Sequence, residues 1–118
     1  MTDRASSRQV FQICYDEGLL ITRAELLKRR GYSVLSALGN DEAKRTIDKG
    51  AIYHLFIVGH AAKKKTRQEM VNWLKANFPG PKILALNPPD EMNVKGADYN
   101  ILLNGPEEWL AAVTSAIG

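Results

Sequence analysis

The run Ile52-Tyr53-His54-Leu55-Phe56-Ile57-Val58-Gly59-His60 decides the fold. From Ile52 to Val58 it is apolar except for His54, rich in β-branched and aromatic residues, and flanked by Gly50 and Gly59. Such a run suits a strand covered on both faces, as at the centre of a parallel sheet. Its shortness and the flanking glycines favour strand over a buried helical segment. In open α/β sheets ligands and chemistry gather beyond the carboxyl ends of the strands. Gly59, His60 and the loop after them therefore mark the place where function is expected.

Working toward the N-terminus, Gly39-Asn40 opens a short helix with Asn40 as its cap, Ala43 and Ile47 as its buried pair and Gly50 as its terminator. Tyr32 to Leu38 reads as a partly alternating strand, polar enough to lie near an edge. Before it, Leu20, Ala24 and Leu27 form an apolar helical stripe, with Arg23, Glu25, Lys28 and Arg29 assigned to the opposite side. Lys28-Arg29-Arg30-Gly31 stops that helix, since cations complement its dipole and glycine takes the left-handed cap. Val10 to Tyr15 is the first strand, and Asp16-Glu17-Gly18 turns the chain into the helix. Residues 1–8 read as a flexible tail and 9–118 as one domain.

Toward the C-terminus, Thr66-Arg67-Gln68-Glu69 fits a capping box before a helix that buries Met70, Val71, Leu74 and Trp73 and ends near Phe78-Pro79-Gly80. Lys82 to Leu86 is a fourth strand, stopped by Asn87-Pro88-Pro89. Asp90 to Asp98 carries no clear helical pattern and is expected to be the most mobile internal segment. Tyr99 to Leu103 is the fifth strand. Pro106 with Glu107 and Glu108 starts a last helix that buries Leu110, Val113 and Ile117. Strands alternating with helices over short connections imply an α/β fold: a five-stranded parallel sheet, order 2-1-3-4-5, with helices on both faces and the fourth helix short or missing.

Composition bounds the function. The chain has 118 residues, 45% hydrophobic and 25% charged, which suits one globular domain. No apolar run approaches the roughly 18 residues of a membrane span, and Met1 to Ser7 lacks the apolar core of a signal peptide, so the expected location is the cytoplasm. The single cysteine, Cys14, excludes an internal disulfide and a multi-cysteine metal site, and its apolar neighbours suggest a buried, inert thiol. Net charge is only +3, but it is unevenly spread. His60 to Lys82 holds six basic residues against one acid; Asp90 to the end holds five acids against one lysine. Such asymmetry bears on partners rather than on fold.

With this layout, the chain resembles the receiver domain of bacterial two-component response regulators, the CheY-like branch of the flavodoxin-like folds. The residues that carry the likeness are Leu26-Leu27-Lys28-Arg29-Arg30-Gly31-Tyr32-Ser33-Val34, Asp41-Glu42-Ala43, Gly96-Ala97-Asp98-Tyr99 and Pro106-Glu107-Glu108-Trp109-Leu110. The resemblance runs from Val10 to Ile117 and implies a phosphorelay signalling module. It also implies a phosphoacceptor aspartate where Gly59 stands, and an acid pair for Mg²⁺ where Cys14 and Tyr15 stand, with Asp16 and Glu17 displaced beside them. Asn87 replaces the serine or threonine ending the fourth strand, and Leu103 or Asn104 replaces the lysine ending the fifth. Phosphoryl transfer to a carboxylate needs a nucleophile, a hard cation and donors around the developing charge. The reading is therefore a degenerate pseudo-receiver that works without phosphorylation.

Each candidate residue also has a plainer role. Asp16 suits a helix cap better than a metal site. His60 lacks a second ligand at metal spacing and reads as a loop or partner-facing residue; His54 reads as a hydrogen-bonded residue of the sheet. Lys63, Lys64, Lys65 and Arg67 are candidates for docking an acidic surface, on another protein or on a second copy of the chain. No aromatics interleave with them, so the run does not point to nucleic acid. Neither a nucleophile–base pair nor a Gly-rich phosphate loop is visible, so no enzymatic activity, metal or cofactor is assigned. The alternative is a small-molecule-binding or enzymatic domain with a rebuilt strand-end pocket around Gly59, His60 and Asn87.

Overall fold

The structure is a computed structural model, and it describes residues 8–91 and 93–118. The tail expected at residues 1–8 lies outside it except for Arg8, whose carbonyl already accepts from Ser33 N–H at 2.9 Å and whose Nε donates to the Ile117 carbonyl. Five strands form one sheet: β1 (Gln9–Cys14), β2 (Ser33–Leu38), β3 (Leu55–Val58), β4 (Lys82–Asn87) and β5 (Tyr99–Leu102). All pairings are parallel and the order is β2-β1-β3-β4-β5. The helices are α1 (Glu17–Arg29), α2 (Asn40–Thr46), α3 (Lys64–Asn77) and α4 (Pro106–Ile117). The expected topology is thus present, β2 is an edge, and no helix lies between β4 and β5 among the described residues.

Alternation along the strands sends side chains into two separate cores. Phe11, Ile13, Phe56, Val58, Ile83 and Ala85 face α2 and α3, packing with Ala43, Met70, Val71 and Leu74. Val10, Leu55, Ile57, Leu84 and Leu86 face α1 and α4, packing with Leu27, Trp109, Leu110 and Val113. The first core is aromatic at one end, where Tyr53 and Phe78 meet Phe11 and Phe56 with ring centroids 5.6 Å apart in the Phe11–Tyr53 and Phe56–Phe78 pairs.

Several local expectations change. The strand is shorter than the apolar run: Ile52 is largely exposed, and Tyr53 is buried but precedes the ladder. His54, just before β3, is hydrogen-bonded as expected: its ring Nδ1 accepts from Gln9 N–H at 2.9 Å and its backbone N–H donates to the Gln9 carbonyl. Asn40 is the first residue of α2 rather than its cap, which is Gly39. Its side chain instead accepts from Tyr15 Oη at 2.7 Å and donates to the Thr66 carbonyl. The capping box does not form, because α3 begins three residues earlier, with Lys63 rather than Thr66 at the cap position.

The segment after β4 is anchored more firmly than its sequence suggests. Val94 is buried, its N–H and carbonyl both held by the Asn100 side-chain amide at 2.9 and 3.1 Å. Gln68 holds Lys95 in the same two-handed way, at 2.9 and 2.7 Å. The Asp98 carboxylate accepts from Ile83 N–H at 2.8 Å. Asn93 and Gly96 supply the left-handed backbone that the turns need, and a side chain at Gly96 would also press on Val71. Hydrogen exchange is expected to be slower at Val94, Lys95 and Asp98 than at Asp90 and Asn93, which have no such donor–acceptor pair among the described residues. Uniformly fast exchange from 90 to 98 would contradict the staples.

Candidate functional site

At the carboxyl end of the sheet, β1, β3 and β4 finish at Cys14, Val58 and Asn87, and Gly59 continues β3 with its N–H on the Ile13 carbonyl at 2.9 Å. Two arginines close over this edge from opposite layers. Arg23 reaches in from α1; it is 4% exposed, and its Nη2 lies 3.1 Å from His60 Nδ1. A Cβ built on Gly59 would lie 3.0 Å from Arg23 Nη1 and 3.3 Å from the Ile13 carbonyl oxygen. The absent side chain is what makes room for the guanidinium.

Arg67 reaches in from α3 and is wholly buried. Its Nε donates to the Ala62 carbonyl at 3.1 Å, Nη1 to Asn87 Oδ1 at 2.8 Å and Nη2 to the Glu91 carbonyl at 3.1 Å, with the half-exposed Glu91 carboxylate at 3.4 Å. One fork therefore ties the loop after β3 and the loop after β4 to the end of the sheet. Asn87, also buried, gives its amide N–H groups to Ala85, Asn100 and Ile101.

This arrangement corrects the reading of three candidates. Arg67 is not a surface cation and leaves the partner-binding set. Asn87 has every polar atom committed inside the protein and is closed to an incoming ligand. Arg23, assigned to the solvent side of its helix, is instead part of the site. Asp16 takes the capping role: its Oδ1 accepts from Leu19 N–H at 3.0 Å. Glu17 lies exposed in the first turn of α1. Leu103 packs its side chain into the α1–α4 core and Asn104 is exposed. Lys63, Lys64 and Lys65 are exposed, at the cap and first turn of α3.

The electrostatics follow from burial beside two guanidinium groups. Burial pushes the Cys14 thiol up, Arg23 opposing it, and the thiol lies 3.1 Å from Gln12 Oε1. Tyr15 is pushed up by burial, with Arg67 opposing. His60 is held below the ordinary imidazole value, first by burial and then by Arg23 and Arg67, with Asp16 opposing. A neutral His60 in turn accepts from Arg23 through Nδ1. Because folding favours the neutral ring, this part of the stability is complete above the unfolded value of about 6.5 and is lost as pH falls from there toward the folded value. His60→Gln, whose amide oxygen keeps an acceptor for Arg23, is expected to flatten the fall in the urea midpoint between about pH 7 and pH 5. An unchanged pH profile would remove His60 from the network.

The residues do not fit a hard divalent cation. Mg²⁺ needs carboxylate and other oxygen ligands, whereas the acid-pair positions hold a buried thiol and a hydroxyl bonded to Asn40. Among the described residues no three His, Cys, Asp or Glu side chains come together in a way that could hold a metal.

No family model matches the chain, and no curated protein does. Solved structures do. A response regulator receiver domain from Clostridium thermocellum superposes with a TM-score of 0.80 at 19% identity, over 93% of this chain and 94% of that one. The receiver domain from Methanospirillum hungatei gives 0.79 at 18%, over 95% and 94%. The fold is that of receiver domains. TrrA of Thermotoga maritima matches it twice: in complex with Mg²⁺–BeF, at 0.76 and 15% over 94% and 99%, and with the histidine kinase ThkA, at 0.78 and 16% over the same shares. The receiver fold is thus retained over nearly the whole chain, with arginines in the strand-end site.

Lysine-rich helix starts and buried arginines are both visible as patterns. Arg23 lies three residues after Leu20 and four before Leu27; Arg67 lies three residues before Met70, four before Val71 and seven before Leu74. Both therefore sit within apolar stripes, and that spacing was the available signal for a buried role.

Proposed function

We propose that this domain is a phosphorylation-independent, receiver-fold signalling module that acts by docking another protein. The observation that carries the reading is Arg23 lying against Gly59: a cation of the chain itself occupies the space beside the missing nucleophile. Arg67 supports it by holding the two flanking loops in one arrangement without a phosphoryl group. Incubation with acetyl phosphate, or with beryllofluoride and Mg²⁺, is expected to leave the mass and the amide spectrum unchanged. A stable adduct, or shifts clustered at Gly59 and Asn87, would overturn the reading.

Docking is assigned to Lys63, Lys64 and Lys65. Cations at a helix N-terminus oppose the macrodipole, and the first turn of α3 contains no acid to offset them. The lysines are thus poorly placed for helix stability, which supports a recognition role toward an acidic surface. TrrA, which shares the fold, is itself solved bound to a protein. The acidic flank of a second copy, around Asp90, Glu107 and Glu108, has the complementary charge. Exposed charges act over a Debye length of about 8 Å and set encounter rate more than final affinity. Changing all three lysines to glutamate is expected to slow association about tenfold or more at low salt and to abolish its salt dependence, with the fold intact. Surface-sensor kinetics of the captured partner, and sedimentation for self-association, provide the test. An unchanged rate at low salt would make the run a solvated helix start and nothing more.

A further inference from the structure

Between α1 and the connection from β5 to α4 lies a cleft of about 380 Å³, lined by Leu19, Leu26, Leu103, Pro106, Trp109 and Arg23. It is on the α1–α4 side of the sheet, apart from the lysines, and does not depend on the docking role proposed for them. A volume of this size with mostly apolar walls and few polar groups is the usual form of a small-molecule pocket. Among the described residues, Arg23 is the only charged one in its lining, and no acid lines it.

Arg23 is unusual among the charges of this protein. It is 4% exposed, yet no carboxylate of the described residues lies within ion-pair distance of it. Arg67, the other deeply buried cation, has Glu91 beside it as well as three oxygen acceptors. The polar neighbours of Arg23 are the His60 ring and the Cys14 thiol, and burial favours the neutral form of both. A buried guanidinium has five N–H donors and is ordinarily paired, since an unpaired buried charge is costly. The start of α4 adjoins the cleft, with Gly105 and Pro106 in its lining and no side-chain hydrogen bond capping the helix. Glu107 and Glu108, in that first turn, are exposed and do not line the cleft.

We infer that this cleft binds a small amphipathic carboxylate, its carboxyl group paired with Arg23 and its apolar body lying against Leu26, Leu103 and Trp109. A carboxylate is favoured over a phosphate because one guanidinium supplies a single charge in a fork matched to two oxygens. The apolar remainder of the wall then requires a hydrophobic body.

Indole-3-acetate, phenylacetate and octanoate serve as probes, with phenylacetamide as the neutral counterpart and inorganic phosphate as the bare anion. Titrations of the intact chain are followed by amide NMR and, for the non-indole probes, by tryptophan fluorescence. The expected result is saturable shifts at Leu26, Leu103 and Trp109, with phenylacetate bound about tenfold or more tightly than phenylacetamide, as a charge-assisted bond requires. Arg23→Met should remove that preference. Since this substitution could disturb folding, the acid-against-amide comparison on the unaltered protein decides by itself. No saturable shift at millimolar probe, shifts confined to other surfaces, equal binding of acid and amide, or phosphate binding as tightly as the organic acids would each overturn the assignment.

Discussion

Arg67→Ala is expected to destabilise the domain by about 3–5 kcal/mol, the range for removing one member of a buried, hydrogen-bonded charge network. The substitution leaves the buried Asn87 side-chain oxygen and the partly buried carbonyls of Ala62 and Glu91 without their donor. It also opens a cavity at the end of α3 nearest the strand ends. Arg67→Lys should recover little, because one ammonium cannot reach acceptors spread across a planar fork. Urea or guanidinium unfolding measures both variants. A loss under about 1 kcal/mol for the alanine variant would mean that water replaces the guanidinium and that the network is not closed.

Gly59→Asp is expected to leave the protein without a phosphoacceptor. The new Cβ would come within 3.0 Å of Arg23 Nη1, the mobile end of a long side chain, and the carboxylate would pair with it. Cys14 and Tyr15 still provide no carboxylates for Mg²⁺. Treatment with acetyl phosphate and Mg²⁺ should add no mass, while pairing of a previously unpaired guanidinium should raise stability by about 1 kcal/mol. A phospho-adduct on residue 59 would show that the site keeps its reactivity behind Arg23. A marked loss of stability would show that the contact with the Ile13 carbonyl, at 3.3 Å, outweighs the ion pair.

The strand order was legible because apolar runs alternating with helical stripes admit few arrangements once crossovers are right-handed. Val10 to Cys14 and Leu55 to Val58 could hardly be placed elsewhere. Details failed where one side chain did unexpected work. Asn40 suits a cap by type, but Tyr15 and Thr66 take its side chain. Thr66 and Glu69 match a capping box by spacing, yet α3 starts at Lys64. The strand-end position of the candidate site was legible from Gly59 and His60 following the central apolar run. The part that Arg23 and Arg67 take in it was not, because a charged residue reads as solvent-facing even where its helical position is apolar. Long side chains can bury their stems within a stripe and carry a charge to a polar end, and the sequence spacing alone records the stem.

The division of the apolar side chains into two layers has a practical side. Trp73 packs against the α2–α3 layer and Trp109 within the α1–α4 layer, so each side of the sheet carries its own natural fluorophore. Replacing either with phenylalanine gives a protein whose emission reports on one layer alone. The sheet between them becomes a partition across which melting, ligand occupancy or partner contact can be followed on each side without an added label.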